Sequence, residues 1–301
     1  MPAAGDAAAL PRARPGAPGR RGLWTDAWRR FARNPVRIGA AATALLIVAL
    51  SLLAPLIAPA RYDVVNIAEP LAPPSPRHWL GTDAIGRDVL SRLLYGGRTS
   101  LEVALTVVGL GVVVGVPLGT LAGFAGGWVD YVIMRLVEVS TALPGLLLAM
   151  LVISVLGSGV GNVILALALA AWIEPCRLMR AQTLALRDRE FVEAAWAQGA
   201  TTGHLIGRHI LPNALGPLIV VVTLNIPRMI FSEASLSFLG LGINDPLPSW
   251  GKMVSESVSY LEVSPMLGIA PTLMIAVAVL SLTLVGDGLR DALDPSKDQG
   301  L

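Results

Sequence analysis

VSTALPGLLLAMLVISVLGSGVGNVILALALAAWI, residues 139–173, carries no charged side chain and is too long for one bilayer crossing. A spanning helix needs about 20 mainly apolar residues, so this stretch holds two. It divides at Gly157-Ser158-Gly159-Val160-Gly161-Asn162, a cluster of turn formers. Uncharged stretches also occupy residues 38–60, 103–129, 210–227 and 263–286. The run beginning at residue 210 continues past Arg228 and Glu233 to Phe238. Six membrane helices are therefore predicted, at 38–58, 101–124, 131–156, 162–182, 213–238 and 266–286.

Composition agrees. Of 301 residues, 54% are hydrophobic and 15% charged, with mean hydropathy +0.65; soluble domains have about 45–50% apolar and about 25% charged residues. A net charge of +2 is too small to suggest nucleic acid. Cys176 is the sole cysteine, so no intrachain disulfide can form.

An even number of spans puts both termini on one side. The segments 1–37, 125–130, 183–212 and 287–301 hold 13 Lys/Arg, against 6 in 59–100, 157–161 and 239–265. The positive-inside rule makes the first set cytoplasmic. Residues 1–22, rich in Ala, Pro, Gly and Arg, read as a disordered cytoplasmic tail. Residues 23–37 read as an interfacial helix, with Trp24, Trp28 and Phe31 on one face beside Arg29, Arg30 and Arg33. Ala58-Pro59-Ala60 imitates a signal-peptidase site, but the preceding apolar run is too long and too far from the start. Residues 59–100 are then an extracytoplasmic loop, 101–286 the core, and 287–301 a cytoplasmic tail.

Glycines recur every four residues at Gly111, Gly115, Gly119, Gly123 and Gly127. Such a stripe admits a second backbone at close range. Four residues advance about 400°, so it winds slowly and suits a tilted crossing, with Pro117 able to kink the helix. The stripe reads as a packing surface ahead of a pathway lining. Arg228 and Glu233 are the charges most deeply set in an apolar run. About 140° apart on a helix, they are no natural ion pair, and either line a pathway or pair within the bundle. Arg135 and Glu138, three apart, read as a structural pair.

A long polar segment, 187–213, separates the fourth and fifth spans. It contains Glu193-Ala194-Ala195, then three residues, Gly199, nine residues to Arg208, and His209-Ile210-Leu211-Pro212-Asn213. A short helix here would present Ala195 and Gly199 as a small-residue face able to enter a groove. This segment resembles the EAA loop of binding-protein-dependent ABC importer permeases, with His209 at a position where the general pattern has isoleucine. Three further blocks are similar to the C-type subunit of the dipeptide/oligopeptide (peptide/nickel) branch. One is His78-Trp79-Leu80-Gly81-Thr82-Asp83 with Gly86-Arg87-Asp88-Val89-Leu90-Ser91-Arg92 and Tyr95-Gly96-Gly97-Arg98. Another is the run from Glu233-Ala234-Ser235 to Gly242, followed by Pro248-Ser249-Trp250-Gly251. The third is Gly286-Asp287-Gly288-Leu289-Arg290-Asp291-Ala292-Leu293-Asp294-Pro295. Together they span residues 24–295.

The resemblance implies an all-α, six-helix type I (MetI-like) permease fold in the bacterial inner membrane. It implies coupling to ATPases through Glu193, Ala194, Ala195, Gly199, Ala200 and Thr201. Its implied partners are a second permease, two ATPase subunits that hold ATP and Mg, and a solute-binding protein. Within the 78–98 block, Leu90, Leu93 and Leu94 contrast with Arg87, Asp88 and Arg92, which would lie on the membrane surface or meet that protein. Di- or oligopeptides are the default substrate that the resemblance implies, with glutathione or a nickel chelate as the alternatives. No oxygen-rich loop surrounds Asp83 and Asp88, so no metal site is expected. The chain lacks G-x4-G-K-[ST], H-E-x-x-H and G-x-S-x-G, so no catalytic residue or cofactor of its own is expected. A rhomboid-like protease would need a G-x-S-G nucleophile, and Leu156-Gly157-Ser158-Gly159 lacks its first glycine.

Overall fold

The computed structural model describes residues 23–293, without the side chains of 23–27. The expected tail 1–22, the position of Trp24 on its helix face and the residues from Asp294 onward lie outside the described residues.

Chain order begins α1 (Leu23–Ala32), α2 (Pro35–Leu52), α3 (Ala54–Ile57), α4 (Val89–Ala125), α5 (Gly127–Thr141) and α6 (Gly145–Leu156). It continues α7 (Val160–Ala171), α8 (Ile173–Arg187), α9 (Glu190–Ala197) and α10 (Thr202–Leu205). A π-helical turn, Ile206–Ile210, leads into α11 (Leu211–Phe238), then α12 (Trp250–Ser257) and α13 (Met266–Leu293). Among the described residues there is no β-strand. Among the described residues five helical stretches are long and apolar enough to span a membrane, and the bent pair α5–α6, taken as one span, gives a sixth.

The third expected span is not straight. Gly127–Thr141 and Gly145–Leu156 meet at 78°. Pro144 explains the break: it has no amide hydrogen to donate and disfavours helix at Leu143. The split at 157–161 is where the glycines predict it, with φ of +84° at Gly157 and +143° at Gly159. The fourth span breaks gently at Trp172, because Pro175 cannot donate to the Ala171 carbonyl.

The loop before α4 is shorter than the expected extracytoplasmic loop 59–100, for α4 already begins at Val89. Asp88 caps that helix, its Oδ2 accepting from the Ser91 amide at 2.7 Å. The Tyr95-Gly96-Gly97 and Pro248-Ser249-Trp250-Gly251 blocks meet here. A side chain on Gly97 would lie 2.7 Å from the Trp250 ring, and one on Gly96 3.3 Å from the Ser249 backbone. Trp250 is 1% exposed and donates through Nε1 to Leu93 O at 3.0 Å.

The glycine stripe joins α4 to α7 and α8. A Cβ on Gly111 would lie 2.6 Å from Ala171 O, and one on Gly123 2.7 Å from Thr183 Cβ. On Gly115 and Gly119 it would strike the Trp172 and Cys176 carbonyl oxygens. The stripe is therefore a packing surface. Gly127 is not part of it, since φ of +52° makes it the turn into α5. Asn34 caps α2, and Phe31 of α1 is buried against Ala292, Leu289 and Leu293 of α13. Arg37 pairs with Asp291 at the same place. The two ends of the described chain thus lie together.

Candidate coupling surface and translocation site

The segment between α8 and α11 folds as a platform. Glu190 and Glu193 fall in the first turn of α9, where carboxylates suit the positive end of the helix dipole. The helix ends at Ala197, sooner than a continuous helical face from Glu193 to Thr201 would require. Gly199 has φ +85°; its amide donates to Trp196 O at 2.8 Å, and that of Ala200 donates to Ala195 O at 3.1 Å. These two bonds form a Schellman cap. Gly199 is thus required for its backbone conformation, and no heavy atom lies within 4 Å of a Cβ built there. Thr201 accepts weakly from the His204 amide (3.4 Å) and begins α10. Glu193 and Ala194 are exposed, whereas Val192 is buried and anchors the platform. Trp196 stacks on Phe124 at 6.1 Å, tying α9 to the end of α4.

Ala194, Ala195, Gly199, Ala200 and Thr201 line an open concavity of about 630 Å³, edged by Phe191, His204 and His209. The π-turn that follows has a local cause. Pro212 cannot donate to the Arg208 carbonyl, so Leu211 reaches back to Ile206 O, while Asn213 Nδ2 donates to His209 O at 2.6 Å.

Arg228 and Glu233 are not brought together. Glu233 is fully buried, accepting from Ser100 Oγ at 2.9 Å and Ser237 Oγ at 2.7 Å. Arg228 instead pairs with Glu174 of α8, Nη1 lying 3.0 Å from Oε2. Their side chains are 61% and 48% exposed, although both sit within membrane-spanning stretches. Glu174 escaped the sequence reading because it lies just beyond the apolar run that defined its span. Arg135 and Glu138 pair at 2.6 Å on the surface.

The 78–98 block is turned inward. Arg87 and Arg92 both donate to Asp83 Oδ2 at 2.6 Å, and Arg92 Nη1 also lies 2.7 Å from Glu256 Oε2. Asp88 Oδ1 is 2.8 Å from His78 Nδ1. Arg87, Asp88 and Arg92 are 8%, 2% and 2% exposed. The expected surface amphipathy is therefore corrected: these charges hold the loop, α4 and α12 to one another. Among the described residues no group of three or more His, Cys, Asp or Glu could hold a metal.

Apolar helices long enough to cross a membrane, an exposed polar platform and an ion pair set within two of those stretches mark a membrane protein among the described residues. The chain belongs to the family described as binding-protein-dependent transport system inner membrane component, whose model matches residues 115–299. Residues 22–74 match the N-terminal TM domain of oligopeptide transport permease C. Its relatives include the glutathione transport system permease protein GsiD of Pectobacterium atrosepticum, 42% identical over 90% of this chain and 91% of that protein. Dipeptide transport system permease protein DppC of Alkalihalophilus pseudofirmus is 38% identical, covering 90% of each chain. Oligopeptide transport system permease protein OppC of Bacillus subtilis is 38% identical over 91% of this chain and 90% of its own. The fold is similar to a chain of the MetNI methionine ABC transporter, with TM-score 0.56 and 19% identity over 67% of this chain and 96% of that one. The chain is a multi-pass ABC importer permease of the MetI-like fold, not an enzyme.

Proposed function

We propose that this chain forms half of the translocation pathway of an ATP-driven importer of short peptides, glutathione included. A second permease completes the pathway, two ATPase subunits holding ATP and Mg drive it, one of them docking on α9, and an extracytoplasmic solute-binding protein delivers the substrate. Both ends of the chain are cytoplasmic. Arg228 faces the pathway with Glu174. Glu233 supports the wall from within. Arg87, Asp88 and Arg92 shape the surface that meets the binding protein without touching it.

One observation carries this reading. Glu174 is the second residue of α8, whose far end runs directly into α9, and Arg228 sits on α11, which leaves the same platform through the π-turn. Both members of the pair are thus mounted on helices that converge on one exposed surface. A displacement of α9 would move both. ATPase closure would pull the platform and turn the cavity outward; hydrolysis would return it.

Reconstituted proteoliposomes test the proposal. Dialanine and glutathione uptake should require the second permease, both ATPases, ATP and the binding protein together. Uptake by this chain without the ATPases would reject it.

A further inference from the structure

Arg228 touches Glu174 end-on. Nη1 alone makes the contact, 3.0 Å and 3.3 Å from the two carboxylate oxygens and 3.5 Å from Asn225 Oδ1. Nε and Nη2 make no hydrogen bond among the described residues. A guanidinium presents paired donors that match a carboxylate bidentately, and here such an edge stands free. The pair borders a cavity of about 190 Å³ shared with Asn225, Ser232 and Met229, and among the described residues Glu174 and Arg228 carry the only charges on its walls. Asn225 is 8% exposed, and its amide nitrogen has no acceptor among the described residues. Arg228 lies ten residues from the end of α11, about 15 Å at 1.5 Å per residue, inside a stretch apolar and long enough to span a membrane. A charge inside such a stretch needs water or a partner.

Resting on the peptide-importer reading above, we propose that Arg228 and Glu174 form a selectivity site for zwitterions. The Arg228 guanidinium takes the terminal carboxylate of the peptide, and Glu174 takes its ammonium. The chemistry follows from charge balance. With the pathway empty, the two side chains neutralise each other. A solute bearing both signs can be inserted between them with every charge still paired, whereas an ion of one sign leaves one partner without a counter-charge inside a membrane-spanning stretch. The site therefore selects peptides with both termini free.

The complete transporter with its binding protein is reconstituted, and uptake of dialanine and of its C-terminal amide is measured for wild type and Arg228→Gln. Each mutant-to-wild-type ratio cancels the contribution of the binding protein. The preference for dialanine over the amide should fall tenfold or more in Arg228→Gln, and Arg228→Lys should restore part of it. Glu174→Gln should lower the preference for dialanine over N-acetyl-dialanine similarly. The double variant Arg228→Gln/Glu174→Gln removes both charges and covers the case in which a single unpaired charge prevents assembly. Equal losses for free and blocked peptides would overturn the selectivity site and leave the pathway assignment standing. Assembly of the double variant with unchanged preferences would also overturn it. Failure of the wild type to carry any peptide would instead remove the importer reading on which the proposal rests.

Discussion

Ser100 Oγ donates to Glu233 Oε2 at 2.9 Å, joining α4 to α11 in a place from which solvent is shut out. The same serine oxygen receives the Trp250 amide at 3.3 Å, and Ser237 donates to the other carboxylate oxygen at 2.7 Å. One acidic side chain thereby satisfies polar groups from two helices. Glu233→Gln retains the shape and an acceptor, so assembly and uptake should stay within about twofold of wild type. Glu233→Ala strands two hydroxyls and leaves a void, a loss of about 2–4 kcal/mol, and should halve yield or worse. Yield in detergent and uptake in vesicles separate the two. Loss of uptake in a fully assembled Glu233→Gln would show that the acid works in the pathway itself.

Gly199 tests the coupling surface through backbone conformation. An L-residue in the left-handed region costs about 1–2 kcal/mol, and asparagine tolerates it best after glycine. Copurification of the ATPases should follow the order Gly, Asn, Ala, Leu, with Gly199→Ala losing severalfold although nothing crowds its Cβ. Gly199→Leu should abolish substrate-stimulated ATP hydrolysis. Full stimulated hydrolysis with leucine there would sink the assignment of α9 as the coupling helix.

The glycine stripe offers a matched comparison on one helix. A methyl on Gly119 meets the Cys176 carbonyl, whereas one on Gly109 meets nothing within 4 Å. Gly119→Ala should destabilise by about 1–3 kcal/mol through overpacking. Gly109→Ala should be neutral or slightly stabilising, because alanine is the better helix former. Thermal melts of the detergent-purified protein distinguish them, and equal melting temperatures would contradict the close approach of α4 and α8.

Asp245, in the loop between α11 and α12, carries an expected pH signature. The hydrogen bond from Lys252, with that ammonium's charge and the nearby Arg87 guanidinium, holds its carboxyl below the ordinary value of 3.8. A depressed folded-state value means the stabilisation is present above pH 3.8 and is lost as pH falls through the folded value. The side chain is 72% exposed, so the effect stays under about 1 kcal/mol. Wild type should melt slightly above Asp245→Asn at pH 7, and the two should converge below that window. A difference that persists or grows in acid would point to another origin.

Orientation is read by cysteine labelling. Cys176 is fully buried and should be silent towards an impermeant maleimide in the folded protein. Reporters at the exposed positions Ser75 and Ser259 should label from outside intact cells, and one at Gln198 only after permeabilisation. The opposite pattern would invert the topology.

Six apolar crossings, the break at 157–161 and the spaced Glu-Ala-Ala…Gly block of the platform were legible in the sequence. Hydrophobic length and turn chemistry are local quantities, and a bilayer penalises any departure from them heavily. The Pro144 break was also written locally, but an uncharged run masks it when apolar length alone is counted. Pairing was not local. Glu174 and Arg228 are 54 residues apart, Ser100 and Glu233 are 133, and Arg92 and Glu256 are 164. Only the packing of α4 against α8 and α11 determines which charges are enclosed, which are turned inward, and that Arg228 and Glu174 meet at an open surface. Burial and partner choice depend on distances that no spacing along the chain encodes.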